Sequence, residues 1–282
     1  MSKDNRIVKL KLDVIFKAMF GDKKNEDLLA DFLSSILEIP RSSIKKIIMD
    51  NIELIPENFA DKFSRVDLKM QVDEKIVNVE MQISNEEHFR ERTLYYWSRI
   101  YGSELKSGED YGDLKETICI NIVNFNLFDC SDYHSHFKIM EKNRHEVLSD
   151  TFAIHFFELK KIGKNPDKND RMKLWLQLIN AESEEELDML ENTNVKEIEK
   201  AVLILKEISA DEKMRYLAEM REKAMHDEAN ALNSAERKGR EEGIAEGRAE
   251  GRAEERAKII EAMRLNGMSD EQINAIIKNL NK

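Results

Sequence analysis

Between Val66 and Ile83 the chain alternates apolar and polar residues along two short arms separated by Asp73 and Glu74. Successive strand residues face opposite sides of a sheet, so Val66, Leu68, Met70 and Val72 share one face and Asp67, Lys69 and Gln71 the other. On the second arm Val77, Val79, Met81 and Ile83 alternate with Ile76, Asn78, Glu80 and Gln82. A slip of one residue would turn an apolar face to water. A turn at Asp73 and Glu74 therefore pairs Met70 with Val77, Leu68 with Val79 and Asp67 with Glu80, although registers shifted by two keep the same faces. In that pairing two carboxylates stand opposed with Cβ atoms roughly 5 Å apart, where like charges are destabilising without a compensating cation. The alternative is that both acids lie harmlessly on a solvated face.

The rest of the pattern builds a domain around this hairpin. Helical spacing runs through 12–20, with Phe16, Met19 and Phe20, and through 25–38, with Leu28, Leu29, Phe32, Leu33 and Ile36, before Pro40 ends the run. Residues 44–55 read as an interrupted first strand. Residues 86–106 read as a long aromatic helix carrying Phe89, Leu94, Tyr95, Trp97, Ile100 and Tyr101. The runs 118–123 and 152–159 suit buried strands, and the chain is helical from Asp170 onward. This order predicts an α/β architecture, one mixed sheet flanked by helices, followed by an α-helical C-terminal extension.

Near the C-terminus Gly239, Gly243, Gly247 and Gly251 recur every fourth residue among Arg and Glu. Each Gly costs a helix about 1 kcal/mol relative to Ala, and like charges repeat at i,i+4. The segment is either a helix that self-associates through its small residues or a flexible linker. Beyond it, residues 257–265 form a short helix with Gly267 as its stop, and Ser269 with Gln272 reads as a capping box for a second. The pair resembles the first two helices of a helix-turn-helix. The second helix offers only Asn274, Lys278, Asn279 and Lys282 as polar contacts, which favours packing on a partner over reading DNA.

Composition narrows the picture. The 282 residues permit one substantial core plus an appendage. Two cysteines, Cys119 and Cys130, give no disulfide framework, and neither a bilayer-spanning apolar run nor a signal-peptide core is present, so a cytoplasmic protein is expected with no membrane contact. The net charge of −11 opposes nonspecific nucleic-acid affinity through the whole-molecule field. Segregation relieves the objection: Lys11, Lys17, Lys23, Lys24, Lys45, Lys46, Arg90 and Arg92 lie in the core region, while acids crowd 183–192 and the tail.

Converging carboxylates suit a hard divalent cation, Mg²⁺ or Mn²⁺. Asp67 followed by Glu80-Met81-Gln82 resembles the D…(D/E)-x-K signature of PD-(D/E)XK nucleases, with Gln82 in the lysine place. Asp13 to Gly21, the helix 28–37 ending in Ile39-Pro40, Arg92 to Trp97 running into Tyr101, Gly108 and Tyr111, and the segments 117–123 and 157–160 extend the likeness. Together they resemble the recombination-promoting nuclease (Rpn) family, the PD-(D/E)XK nuclease family transposases, over most of the chain. The resemblance implies a restriction-endonuclease-like core at 1–165, a helical region at 166–235, the Gly-repeat helix or linker at 236–258 and the small hairpin at 259–282. It implies a DNA endonuclease linked to recombination, mobile elements or phage defence. Asp67, Glu80 and the Met81 carbonyl would hold the metal, and Gln82 would orient water or phosphate. An amide lacks lysine's charge, which Lys69, on the same face, is placed to supply. Asp13, with Glu26 as runner-up, would add an acid from the first helix, although Asp13 reads equally as a helix cap. Lys17 and Arg92 are candidate phosphate contacts or solvated charges. The second reading is a noncatalytic interaction protein on a degenerate nuclease fold, a homo-oligomer through its C-terminal helix.

Two further motifs compete for chemistry. Glu158-Leu-Lys160 is a literal E-x-K, but no acid lies one strand upstream, which makes it a strand end. His134 and His136 have the alternation of a shared zinc site but read as solvated residues of a polar loop.

Overall fold

The computed structural model describes residues 7–50, 68–85, 87–105 and 107–280. Helices α1 (Asp13–Phe20) and α2 (Glu26–Ile36) precede strands β1 (Ile47–Asp50), β2 (Leu68–Val72) and β3 (Lys75–Gln82). Helix α3 (Phe89–Ser103) leads to β4 (Glu116–Val123), β5 (His134–Phe137) and β6 (Phe152–Glu158). Helices α4 (Arg171–Asn180), α5 (Glu184–Glu191), α6 (Lys196–Ala210), α7 (Glu212–Leu265) and α8 (Asp270–Leu280) follow. The six described strands form one mixed sheet in the order β1-β2-β3-β4-β6-β5. β3, β4 and β6 run parallel to their neighbours among themselves, and the outer pairings are antiparallel. The α/β core with an α-helical extension is the expected fold.

Of the registers that apolar alternation allows, the hairpin takes the one expected from a turn at Asp73 and Glu74, with Met70 opposite Val77 and Leu68 opposite Val79. Its two-residue turn fixes that register. Asp73 adopts φ 51°, a left-handed conformation that Asp tolerates, and its carboxylate accepts from the backbone N–H groups of Lys45 and Lys46 just before β1.

A parallel pair needs a crossover, and α3 supplies it between β3 and β4. Phe89 of α3 packs with Cys119, Val123, Phe125, Phe152, Ile154 and Phe156, flanked by Trp97 and Ile100. The opposite face of the sheet is buried as well, through Val77, Val79, Ile118, Ile120, Ile122 and Phe157. Helices α1, α2 and α4 meet around the rings of Phe16, Phe20, Phe32 and Trp175, at centroid spacings of 4.7 to 6.1 Å. Asp31 ties the group together, accepting from Trp175 Nε1 at 2.8 Å and from Arg171 at 2.6 Å.

The chain divides into two compact units, before and after the Glu222–Lys223 bond. The first includes the opening turns of α7, where Met214, Leu217 and Ala218 are buried. In the second, the Gly-repeat segment is helical and continuous with 257–265, not separated from a short helix there. Gly267 adopts φ 80° and Met268 N–H donates to Met263 O at 3.2 Å, ending α7 in a left-handed cap. Ser269 and Gln272 form the predicted capping box: Ser269 N–H donates to Gln272 Oε1 at 3.0 Å and Gln272 N–H to Ser269 Oγ at 3.4 Å.

Candidate active site

Glu80 and Gln82 leave β3 on the face covered by α3. Lys69 pairs with Asn78, which places its side chain on the same face by alternation. That face is not solvated at Glu80: Asn78, Glu80 and Gln82 are 3%, 4% and 9% exposed. Burial of a carboxylate requires a partner, and α3 provides it. Arg92 Nη2 donates to Glu80 Oε1 at 2.8 Å and to Gln82 Oε1 at 3.0 Å. The Phe89 ring lies 4.8 Å from the guanidinium carbon, so the cation is held between a carboxylate, an amide and an aromatic face. Gln82 Nε2 donates to Ser84 O at 2.9 Å, which fixes which way the amide points.

Asn121 stands beside Glu80 in the parallel ladder and is 1% exposed. It donates through Nδ2 to His155 O at 3.1 Å and accepts from Thr93 Oγ1 at 3.4 Å. The sequence pattern gives Asn121 no role, because its place next to Glu80 depends on the β3–β4 register. Glu80, Gln82 and Arg92 therefore meet, with Lys69 on their face and its Nζ 3.6 Å from Glu104 Oε1 at the end of α3. Asp67 lies outside the described residues. Asp13 is the first residue of α1 rather than its cap, and its Oδ1 accepts from Arg221 Nε and from Val14 N–H, both at 2.9 Å. Lys17 is buried on the same helix, and Glu26 is exposed at the start of α2.

The two competing motifs resolve differently. Glu158 is fully buried: Oε1 accepts from Leu127 N–H at 2.5 Å and Phe128 N–H at 3.2 Å, and Oε2 from Lys161 Nζ at 2.7 Å. Its ionic partner is Lys161, not Lys160, and the carboxylate clamps the loop after β4. His134 and His136 belong to β5 and are not in a loop, a correction to the sequence reading. His134 Nε2 lies 3.0 Å from His155 Nδ1, and the rings of His136 and His155 stack at 4.0 Å. Among the described residues no group of three or more His, Cys, Asp and Glu side chains is arranged to hold a metal. Likewise no described helix is long and apolar enough to cross a membrane.

No curated protein and no solved structure matches the chain. A family model does, that of the PD-(D/E)XK nuclease family transposases, over residues 10–235. That span holds the buried Glu80-x-Gln82 strand end, the helix covering it and the mixed sheet beneath, and the chain belongs to this nuclease family.

Proposed function

We propose that the protein is a DNA endonuclease that hydrolyses phosphodiester bonds with Mg²⁺ or Mn²⁺, working in recombination, at mobile elements or in phage defence. The observation that carries this reading is the buried Glu80 carboxylate beside the Gln82 amide at the end of β3, both accepting from Arg92. Asp67, outside the described residues, is assigned from the alternation of the sequence and its likeness to the family signature. The donor set suits a hard cation: the carboxylates of Glu80 and Asp67 and the Met81 carbonyl are oxygen ligands. Gln82 O accepts from Asn124 N–H on the β4 side, so alternation turns the Met81 carbonyl toward the β2 side. When bound there, such a cation polarises the scissile phosphate and lowers the pKa of water. Gln82 orients that water or the phosphate through its amide. Arg92 and Lys69 supply positive charge, Lys17 contacts phosphate, and Asp13 adds an acid from α1.

The test is cleavage of supercoiled plasmid in Mg²⁺ against EDTA. Nicking is expected in Mg²⁺ alone, and its loss in folded Asp67→Ala and Glu80→Ala. Undiminished cleavage by Glu80→Ala would overturn the assignment. One observation favours a second reading, a noncatalytic, self-associating protein on a degenerate nuclease fold: the four repeat glycines lie exposed within a helix that they weaken by about 2–4 kcal/mol in all.

A further inference from the structure

The carboxylate assigned to the metal has a protein cation as its partner. Arg92 and Glu80 side chains are only 15% and 6% exposed, and one guanidinium nitrogen serves both Glu80 and Gln82. An ionised carboxylate this buried is costly unless it is neutralised, and an arginine cannot escape by losing its proton. A divalent cation held by Glu80 would repel that guanidinium and compete for the same carboxylate. Arg92 has a second seat, since Gln82 Oε1 accepts from the same nitrogen, so leaving Glu80 does not strand it. The neutrality of residue 82 also finds a reason here: a lysine there would set two cations side by side under α3.

We propose that Arg92 is a built-in competitor for the metal. It donates to Glu80, would yield it to a bound cation, and would shift toward Gln82 and the substrate phosphate. Because coupling is reciprocal, whatever draws Arg92 off Glu80 tightens the metal, so phosphate binding and metal binding assist one another. This rests on the metal-dependent reading of the site.

The experiment is calorimetric titration of Mn²⁺ into the full chain without DNA, with melting curves in parallel. Arg92→Gln is expected to bind Mn²⁺ about tenfold more tightly than wild type, the scale of one lost charge-assisted hydrogen bond. Mn²⁺ is expected to raise its melting temperature more than that of wild type. Arg92→Lys keeps the charge without the two-seat geometry and is expected to fall between; it decides the question if Arg92→Gln does not fold. A merely structural arginine would weaken Mn²⁺ binding when removed. Affinity in these variants equal to or below wild type, with binding abolished in Glu80→Gln, would overturn the competitor and leave the metal site standing. No Mn²⁺ binding by wild type or the Arg92 variants would overturn both.

Discussion

His155 is 5% exposed on β6, hydrogen-bonded to His134 and stacked on His136. Burial, then the neighbouring His136 and His134, push its pKa down to about 3, and burial lowers His134 and His136 as well. Glu38 and Glu116 act in the opposite direction on this cluster, and Lys138 reinforces it. The folded state thus holds His155 neutral while the unfolded chain protonates near its ordinary pKa of about 6.5. Stability is therefore full above pH 6.5 and falls as pH drops from there toward 3. Linkage for this one group predicts a loss of about 2 kcal/mol between pH 7 and pH 5. Urea unfolding across that range measures it, and a folded His155→Leu variant should show a flatter dependence. An unchanged slope in that variant would assign the acid sensitivity elsewhere.

At the scale of elements, the hairpin was legible because a period of two admits only registers that bury an apolar face, and a two-residue turn at Asp73 and Glu74 selects one of them. The interior partner of Glu80 was not: Arg92 lies 12 residues away, and apolar spacing does not fix how a helix is rotated over a sheet. Strand β5 was missed because His134-Ser135-His136-Phe137 is short, polar and half exposed at the sheet edge, and only pairing with β6 makes it a strand. The tail glycines were ambiguous for a different reason, since propensity opposed the helix that forms. An ideal Cβ at Gly239, Gly243, Gly247 or Gly251 meets nothing within 4 Å, so four alanines fit and should strengthen the helix by about 0.5–1 kcal/mol each. If the small residues serve close approach of a second copy, the same alanines and deletion of 239–256 should both weaken self-association, read by light scattering. Stronger helicity with undisturbed mass would show that the repeat makes no such contact.

For the whole molecule, charge is distributed otherwise than the sequence suggests. Residues 223–282 hold eleven Lys and Arg against twelve Asp and Glu, so nearly all of the net −11 belongs to the first unit, the one that carries Glu80, Gln82 and Arg92. Cations read as available for phosphate are engaged: Lys11 with Glu182 at 2.5 Å, and Arg92 with Glu80. An acidic body gains little from the field that steers basic proteins onto DNA, so on the proposed function affinity would come from a few contacts at the site. With Lys17 and Arg92 as the phosphate contacts, the logarithm of the binding constant should fall with the logarithm of salt at a slope of about −2. Fluorescence anisotropy of a labelled duplex with the Asp67→Ala variant in Mg²⁺ measures this without turnover. A slope steeper than about −5 would require an extended basic track, which would place DNA away from the Glu80 strand end. A shallow slope means that phosphate is held by few contacts, as expected if it is bound where Arg92, Glu80 and Gln82 meet.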